Sequence, residues 1–105
     1  MTDLLRGRVY GAVLGDLPEK YYLVVSNNRR NAALDSVLAV RLTTSPKPNH
    51  PSIVTLTGAD PLTGRVVCDD IVELWPDEVK RDLCALTPAT MANVAAGLAA
   101  ALGLR

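Results

Sequence analysis

The side chains best suited to chemistry in this 105-residue sequence stand at the ends of its apolar runs. Lys20 precedes the run Tyr21 to Val25, and Asn27 and Asn28 follow it; Thr43 and Thr44 close the run Ser36 to Leu42; Asp69 interrupts a fifth run after Cys68. Together they offer a charge, hydroxyl donors, amides and a carboxylate, the groups of acid–base and electrostatic catalysis. If the runs are strands of a small barrel, their ends converge on one rim and these residues line one groove. Taken singly, each has a plainer reading. Lys20 is a solvated strand-edge charge, Asn27-Asn28 a turn, Thr43-Thr44 the start of a loop, and Asp69-Asp70 a bulge or a solvated pair.

Other chemistries are excluded by what the sequence lacks. It has no phosphate-binding Gly-rich loop and no Gly-x-Ser-x-Gly nucleophile turn. A structural zinc site needs about four Cys or His ligands, and Cys68, Cys84 and His50 are the whole supply. A Ser-His-Asp arrangement would depend on His50, which sits in a proline-rich loop. The two cysteines are expected to be buried free thiols. No metal and no cofactor is expected.

The positioning elements follow from periodicity. Val9 to Leu14, Tyr21 to Val25, Ser36 to Leu42 and Ile53 to Thr57 read as strands rich in β-branched and aromatic residues. Val66 to Cys68 starts a fifth, continued by Ile71 to Leu74 after a break at Asp69-Asp70, and Leu83 to Leu86 is a brief sixth. Arg29 to Asp35 forms a helical turn or a loop, and Pro76 to Lys80 a short helical turn. Thr43 to Ser52 holds Pro46, Pro48 and Pro51 and is an exposed irregular loop. Thr87 caps a C-terminal helix with Pro88 at its first position. In that helix Met91, Val94, Ala95, Leu98 and Leu102 form one apolar face, and Gly103 ends it. The fold class is therefore mainly β (α+β): a small, bent antiparallel β-barrel with a C-terminal amphipathic helix, one domain over 1–105.

The formal net charge is zero, but it is divided unevenly. Residues 1–50 carry seven basic and four acidic side chains, and residues 51–105 four basic and seven acidic. A basic half can make a local phosphate-attracting face. No apolar run is long enough to span a bilayer, and Met-Thr-Asp-Leu-Leu-Arg is not a signal peptide. A cytoplasmic protein, with no membrane partner, is expected.

Laid end to end, the sequence resembles the MazF/PemK family of bacterial toxins, ribonucleases also called mRNA interferases. The resemblance rests on Arg6-Gly7-Arg8-Val9-Tyr10, Leu23-Val24-Val25-Ser26-Asn27-Asn28 with Asn31, and Val40-Arg41-Leu42-Thr43-Thr44. Asp60-Pro61-Leu62-Thr63-Gly64, Cys68-Asp69-Asp70-Ile71 and the final amphipathic helix continue it in family order. The family fold is an SH3-like barrel with a C-terminal helix. The resemblance implies a homodimeric toxin of a type II toxin–antitoxin system that cuts single-stranded RNA at short sequences without metal. The products it implies are a 2′,3′-cyclic phosphate and a 5′-hydroxyl. The implied partner is a MazE-type antitoxin whose C-terminal tail covers the RNA groove.

Three catalytic positions carry over. Thr43 matches the family's threonine and Asp69 an acidic residue that some members use, whereas Lys20, followed by Tyr21, stands where an arginine followed by proline is usual. Lys20 can place a point charge on the phosphorane that forms when a ribose 2′-hydroxyl attacks its phosphate. Thr43 can donate to a phosphoryl oxygen, and Asp69 can orient Lys20 or accept from a base edge. Arg6, Arg8, Arg29, Arg30, Arg41 and Lys47 are candidates for phosphate contacts, joined by Asn27, Asn28 and Thr44 as RNA-binding residues. Alternation makes one of Tyr21 and Tyr22 core, and leaves the other as a candidate to stack a splayed base. A CcdB-like toxin of the same fold that traps DNA gyrase is the alternative. That mode depends on an exposed apolar C-terminus, whereas this sequence closes with Gly103-Leu104-Arg105. A second alternative is a catalytically weak member that only binds RNA or antitoxin.

Overall fold

Six apolar runs pair into one antiparallel sheet in the computed structural model, which describes residues 2–104. Arg105, weighed above against a gyrase-binding mode, lies outside the described residues. The strands are β1 (Arg8–Ala12), β2 (Lys20–Val24), β3 (Val37–Thr43), β4 (Ile53–Thr55), β5 (Arg65–Leu74) and β6 (Val79–Ala85). Two helices accompany them, α1 (Asn28–Ala33) and α2 (Pro88–Leu102), with a single 3-10 turn at Pro76–Glu78. The strand order is β4-β5-β3-β2-β1-β6. β4 and β6 do not pair with each other, so the sheet is barrel-like but open rather than the closed barrel that short strands and tight turns suggest.

Alternation along the strands makes two apolar layers. Val9, Leu23, Val40, Leu42, Val54, Val66 and Cys68 face α2 and pack with Val94. Tyr10, Ala12, Tyr22, Val24, Val37, Ala39 and Leu74 face the other way and are joined by Leu4. Tyr22 is therefore core and only 2% exposed, while Tyr21 stays at 36%.

β5 is continuous, and its expected break is a bulge. Val40 pairs with Ile71 and the next residue, Arg41, with Val67, so Cys68, Asp69 and Asp70 have no partner in β3. β6 is longer than its apolar residues suggest, because its charged stretch Lys80-Arg81-Asp82 runs along β1. The segment after β2 is a helix capped by the Asn27 side chain, which accepts from the Arg30 N–H at 2.8 Å.

α2 begins as expected, Thr87 accepting from the Thr90 N–H at 3.2 Å. Its buried face is Thr90, Val94 and Gly97, flanked by Met91, Leu98 and Ala101. Ala95 and Leu102 face outward, a correction to the expected stripe. The cause is Gly97: a Cβ there would lie 2.7 Å from Cys68 Sγ and 3.1 Å from Val54, so the helix backbone itself rests on the sheet.

Asp60 ties the turn before β5 to the start of α2. Its carboxylate accepts from the Thr57 N–H (2.9 Å), Thr57 Oγ1 (3.1 Å), the Thr87 N–H (2.9 Å) and Thr90 Oγ1 (2.6 Å). Burial alone would raise this carboxyl, but the hydrogen bonds from Thr87, Thr90 and Thr57 outweigh it and hold the group well below the usual carboxylate range. The stabilisation is complete above the unfolded value of about 3.9 and is lost as pH falls towards the lower folded value. Thermal melts should therefore show stability dropping below about pH 4. Asp60→Asn should melt lower at pH 7, by roughly 2 kcal/mol of lost charged hydrogen bonding, with a shallower acid slope. Parallel slopes for the two proteins would refute this role.

Candidate active site

Register places the central pair. β2 and β3 pair with Tyr21 opposite Leu42 and Tyr22 opposite Arg41, and carrying that register one residue outward sets Lys20 opposite Thr43. Both belong to the face turned away from α2, since Lys20 is in phase with Tyr22 and Val24, and Thr43 with Arg41 and Ala39. They line one cavity of about 490 Å³, together with Tyr21, Arg41, Leu42, Thr44, Ser45, Leu62 and Thr63.

Each group in the cavity is oriented differently. Thr43 Oγ1 accepts from the Ser45 N–H at 3.1 Å, which leaves its hydroxyl proton to be donated elsewhere. Lys20 is half-buried and makes no ion pair or side-chain hydrogen bond among the described residues. Its neighbour Glu19 is held by Arg81, whose Nη2 and Nε lie 2.6 and 2.8 Å from the same carboxylate oxygen. Arg81 also lies over the ring of Tyr21, 5.8 Å from its centre, so the entry to β2 is fixed from β6. Arg41 makes a loose ion pair with Asp70, Nε 3.5 Å from Oδ2, but its buried Nε has no hydrogen-bond partner.

Asp69, expected either to orient Lys20 or to meet a base edge, does not line the Lys20–Thr43 cavity. Asp69 lines a second cavity of about 420 Å³ with Pro48, His50, Ser52 and Ile53. The bulge turns Asp70 to Arg41, while Asp69 accepts from the buried Ser52 hydroxyl at 2.8 Å. His50 Nδ1 lies 2.9 Å from Ser52 Oγ and accepts from the Ser52 N–H at 3.2 Å. The serine proton is spent on Asp69 and the serine, not the histidine, is central, so this trio is not a nucleophile–base–orienter relay. The neighbouring Cys68 thiol is raised to about 11, by burial first and by Asp69 second, and it is unreactive at neutral pH. Both cysteines are free, Cys68 buried and Cys84 partly so.

Of the residues singled out for RNA, only Arg41 and Thr44 share the Lys20–Thr43 cavity. The others serve the fold around α1 or lie on the surface. Arg6 donates from Nη1 to the Val25 carbonyl and its N–H donates to Asn28 Oδ1 at 2.8 Å. Arg30 Nη1 donates to the Ser36 carbonyl at 2.8 Å, and Arg8 pairs with Asp82 at 2.9 Å. Arg29 is exposed on α1, and Lys47 sits half-buried in the proline-rich loop. The cavity also takes Leu62 and Thr63, which the sequence marks only as turn residues. Their presence follows from Gly64, whose φ is +125° and whose lack of a Cβ lets the turn close on the Thr43 carbonyl.

A model described as "PemK-like, MazF-like toxin of type II toxin-antitoxin system" matches residues 6–102. The chain belongs to the PemK/MazF toxin family. Within that family it is 47% identical over 104 residues to "Endoribonuclease MazF1" of Mycobacterium bovis, covering 99% of this chain and 97% of the relative. The identity and coverage are the same for "Endoribonuclease MazF4" of Mycobacterium tuberculosis. A solved "Endoribonuclease in complex with its cognate antitoxin from Mycobacterial species" superposes with a TM-score of 0.90 at 46% identity over 97% of both chains. A MazE-MazF structure from Deinococcus radiodurans, at 22% identity and a TM-score of 0.80 over 97% of both chains, shares the fold.

Gly64 links this family fold to its cavity. A Cβ at that position would lie 2.6 Å from the Thr43 carbonyl oxygen, in a backbone conformation that side chains rarely adopt. Gly64→Ala should cost about 1–3 kcal/mol in chemical denaturation and shift the amide resonances of Thr43 and Ser45. Unchanged stability together with unchanged resonances would show that the turn does not set the strand end.

Proposed function

We propose that this protein is the toxin of a type II toxin–antitoxin system and acts as an endoribonuclease on single-stranded RNA in the cytoplasm. The observation that carries the reading is Lys20 and Thr43 facing one cavity from adjacent strands. A phosphodiester seated there meets a cation and an oriented hydroxyl donor. The ribose 2′-oxygen attacks its own phosphorus, the bond to the 5′-oxygen breaks, the 2′-hydroxyl proton passes to water and the 5′-oxygen takes one up. The products are a 2′,3′-cyclic phosphate and a 5′-hydroxyl. Charge accumulates on the nonbridging oxygens of the phosphorane, where the Lys20 ammonium and the Thr43 hydroxyl stabilise it more than the ground state. Lysine supplies a point charge without the two-pronged fit of arginine.

Asp69 lies apart from Lys20, so its place in this scheme is at a base edge, accepting from an exocyclic amine of a flanking nucleotide. Tyr21, exposed and lining the cavity, is the residue to stack a base. The same reading makes the active form a homodimer. Leu38 and Ile71, each 37% exposed, and Trp75, 42% exposed, give the apolar surface a second copy would cover. The antitoxin is a MazE-type protein whose C-terminal tail covers the RNA groove. The name of the mycobacterial complex supports an antitoxin partner.

Purified protein incubated with defined RNA in EDTA, with the 5′ ends mapped, tests the proposal. Specific cuts bearing 5′-hydroxyls are expected, and Lys20→Ala and Thr43→Val should each lower kcat by about 10²–10³ without lowering the melting temperature. Intact RNA under these conditions, with gyrase stalled instead, would overturn it. Cleavage that persists at full rate in both variants would place the chemistry elsewhere.

A further inference from the structure

Arg65 is the second uncommitted cation beside Thr43. β3 and β5 pair with Thr43 opposite Arg65, and β4 and β5 with Thr55 opposite Arg65. With Lys20 opposite Thr43 by extension of the β2–β3 register, four residues form one row across four strands: Lys20, Thr43, Arg65 and Thr55. Directly opposed residues share a face, and adjacent strands lie about 4.8 Å apart. By register, Lys20 and Arg65 therefore stand on the two strands that neighbour Thr43, Lys20 within the cavity and Arg65 just outside its lining.

The other strand arginines are paired. Arg8, Arg41 and Arg81 pair with Asp82, Asp70 and Glu19, and Arg6 and Arg30 are bound to backbone carbonyls. Arg65 is half-buried and has no ion pair or side-chain hydrogen bond among the described residues. An uncompensated guanidinium in a row with a second free cation, with a hydroxyl between, is suited to an oligoanion that runs across the strands. We propose that Arg65 binds the phosphate next to the scissile one, so that RNA crosses the sheet from β2 towards β4 with Thr43 beneath the bond that breaks. This rests on the ribonuclease reading above. The planar fork of arginine takes a phosphate in two parallel hydrogen bonds. A phosphate one step removed from the reaction changes little in charge on the way to the transition state. Arg65 is thus a substrate-positioning residue that sets KM more than kcat.

The experiment uses the full-length protein, wild type and Arg65→Gln, with a short RNA and with the same RNA carrying a 2′-deoxy nucleotide at the cut. Arg65→Gln should raise KM about tenfold and lower kcat at most a few-fold, with the melting temperature unchanged. On the uncleavable RNA its slope of log affinity against log salt should be shallower by about 0.7, the loss of one phosphate contact. Arg65→Lys should restore the slope and part of the KM. An unchanged KM and slope would overturn the assignment, as would an effect confined to binding of an acidic antitoxin peptide. Wild-type protein that binds the 2′-deoxy RNA with an Arg65-dependent slope yet never cuts the cleavable one would uphold this phosphate site and refute the ribonuclease reading. Wild-type protein that binds neither RNA would refute both.

Discussion

A one-residue slip between β2 and β3 would turn Lys20 and Thr43 to opposite faces of the sheet and dissolve the cavity they share. The register is therefore the constraint on which the site depends, and the protein fixes it by burying both faces. Leu23 and Val40, opposite each other, belong beneath α2, while Val24 and Ala39 belong to the second layer. Such a slip would expose apolar residues on one side and bury Lys20 and Arg41 among apolar residues on the other. The functional geometry is thus a by-product of hydrophobic sorting, and needs no dedicated scaffold of its own.

The third strand of the site is treated differently. In β5 the bulge at Cys68 to Asp70 lets one strand serve two environments. Before it, Arg65 and Val67 keep step with Thr43 and Arg41; after it, Ile71 to Leu74 keep step with Val40 to Val37. The unpaired residues carry the two aspartates outward, one to Arg41 and one to Ser52. With Arg41 drawn towards Asp70, Lys20 is the cavity's cation without an ion pair among the described residues. The Asp60 network then locks the preceding turn to α2, so Leu62 and Thr63 reach the cavity from a fixed direction.

Much of this was legible in the residues. The strand cores, the Asn and Gly turn positions, and the Thr87-Pro88 helix start are local signals, and each governs the element it belongs to. Three features were not legible because they are set at a distance. β6 lacks an apolar alternation and becomes a strand because β1 offers it a partner edge. The face of α2 is turned by close approach at Gly97, where the absence of a side chain matters and hydrophobicity does not. The arginines near the N-terminus look like phosphate ligands by charge alone, yet Arg6 and Arg30 are spent on carbonyls left open where β2 ends and β3 begins. Lys20 and Thr43 could be paired from strand ends, but Asp69 could not be separated from them without the bulge.

The sheet ends in two unjoined margins, and their composition has a consequence for the protein in a crowded cell. β4 offers only three residues beyond a stretch with Pro46, Pro48 and Pro51, and β6 carries Lys80, Arg81 and Asp82 in succession. A foreign strand seeking to continue the ladder meets too few amides on one side and a run of charged side chains on the other. Self-templated fibre growth is discouraged at both margins, so a protein with an unclosed sheet gains the protection that full closure would otherwise supply.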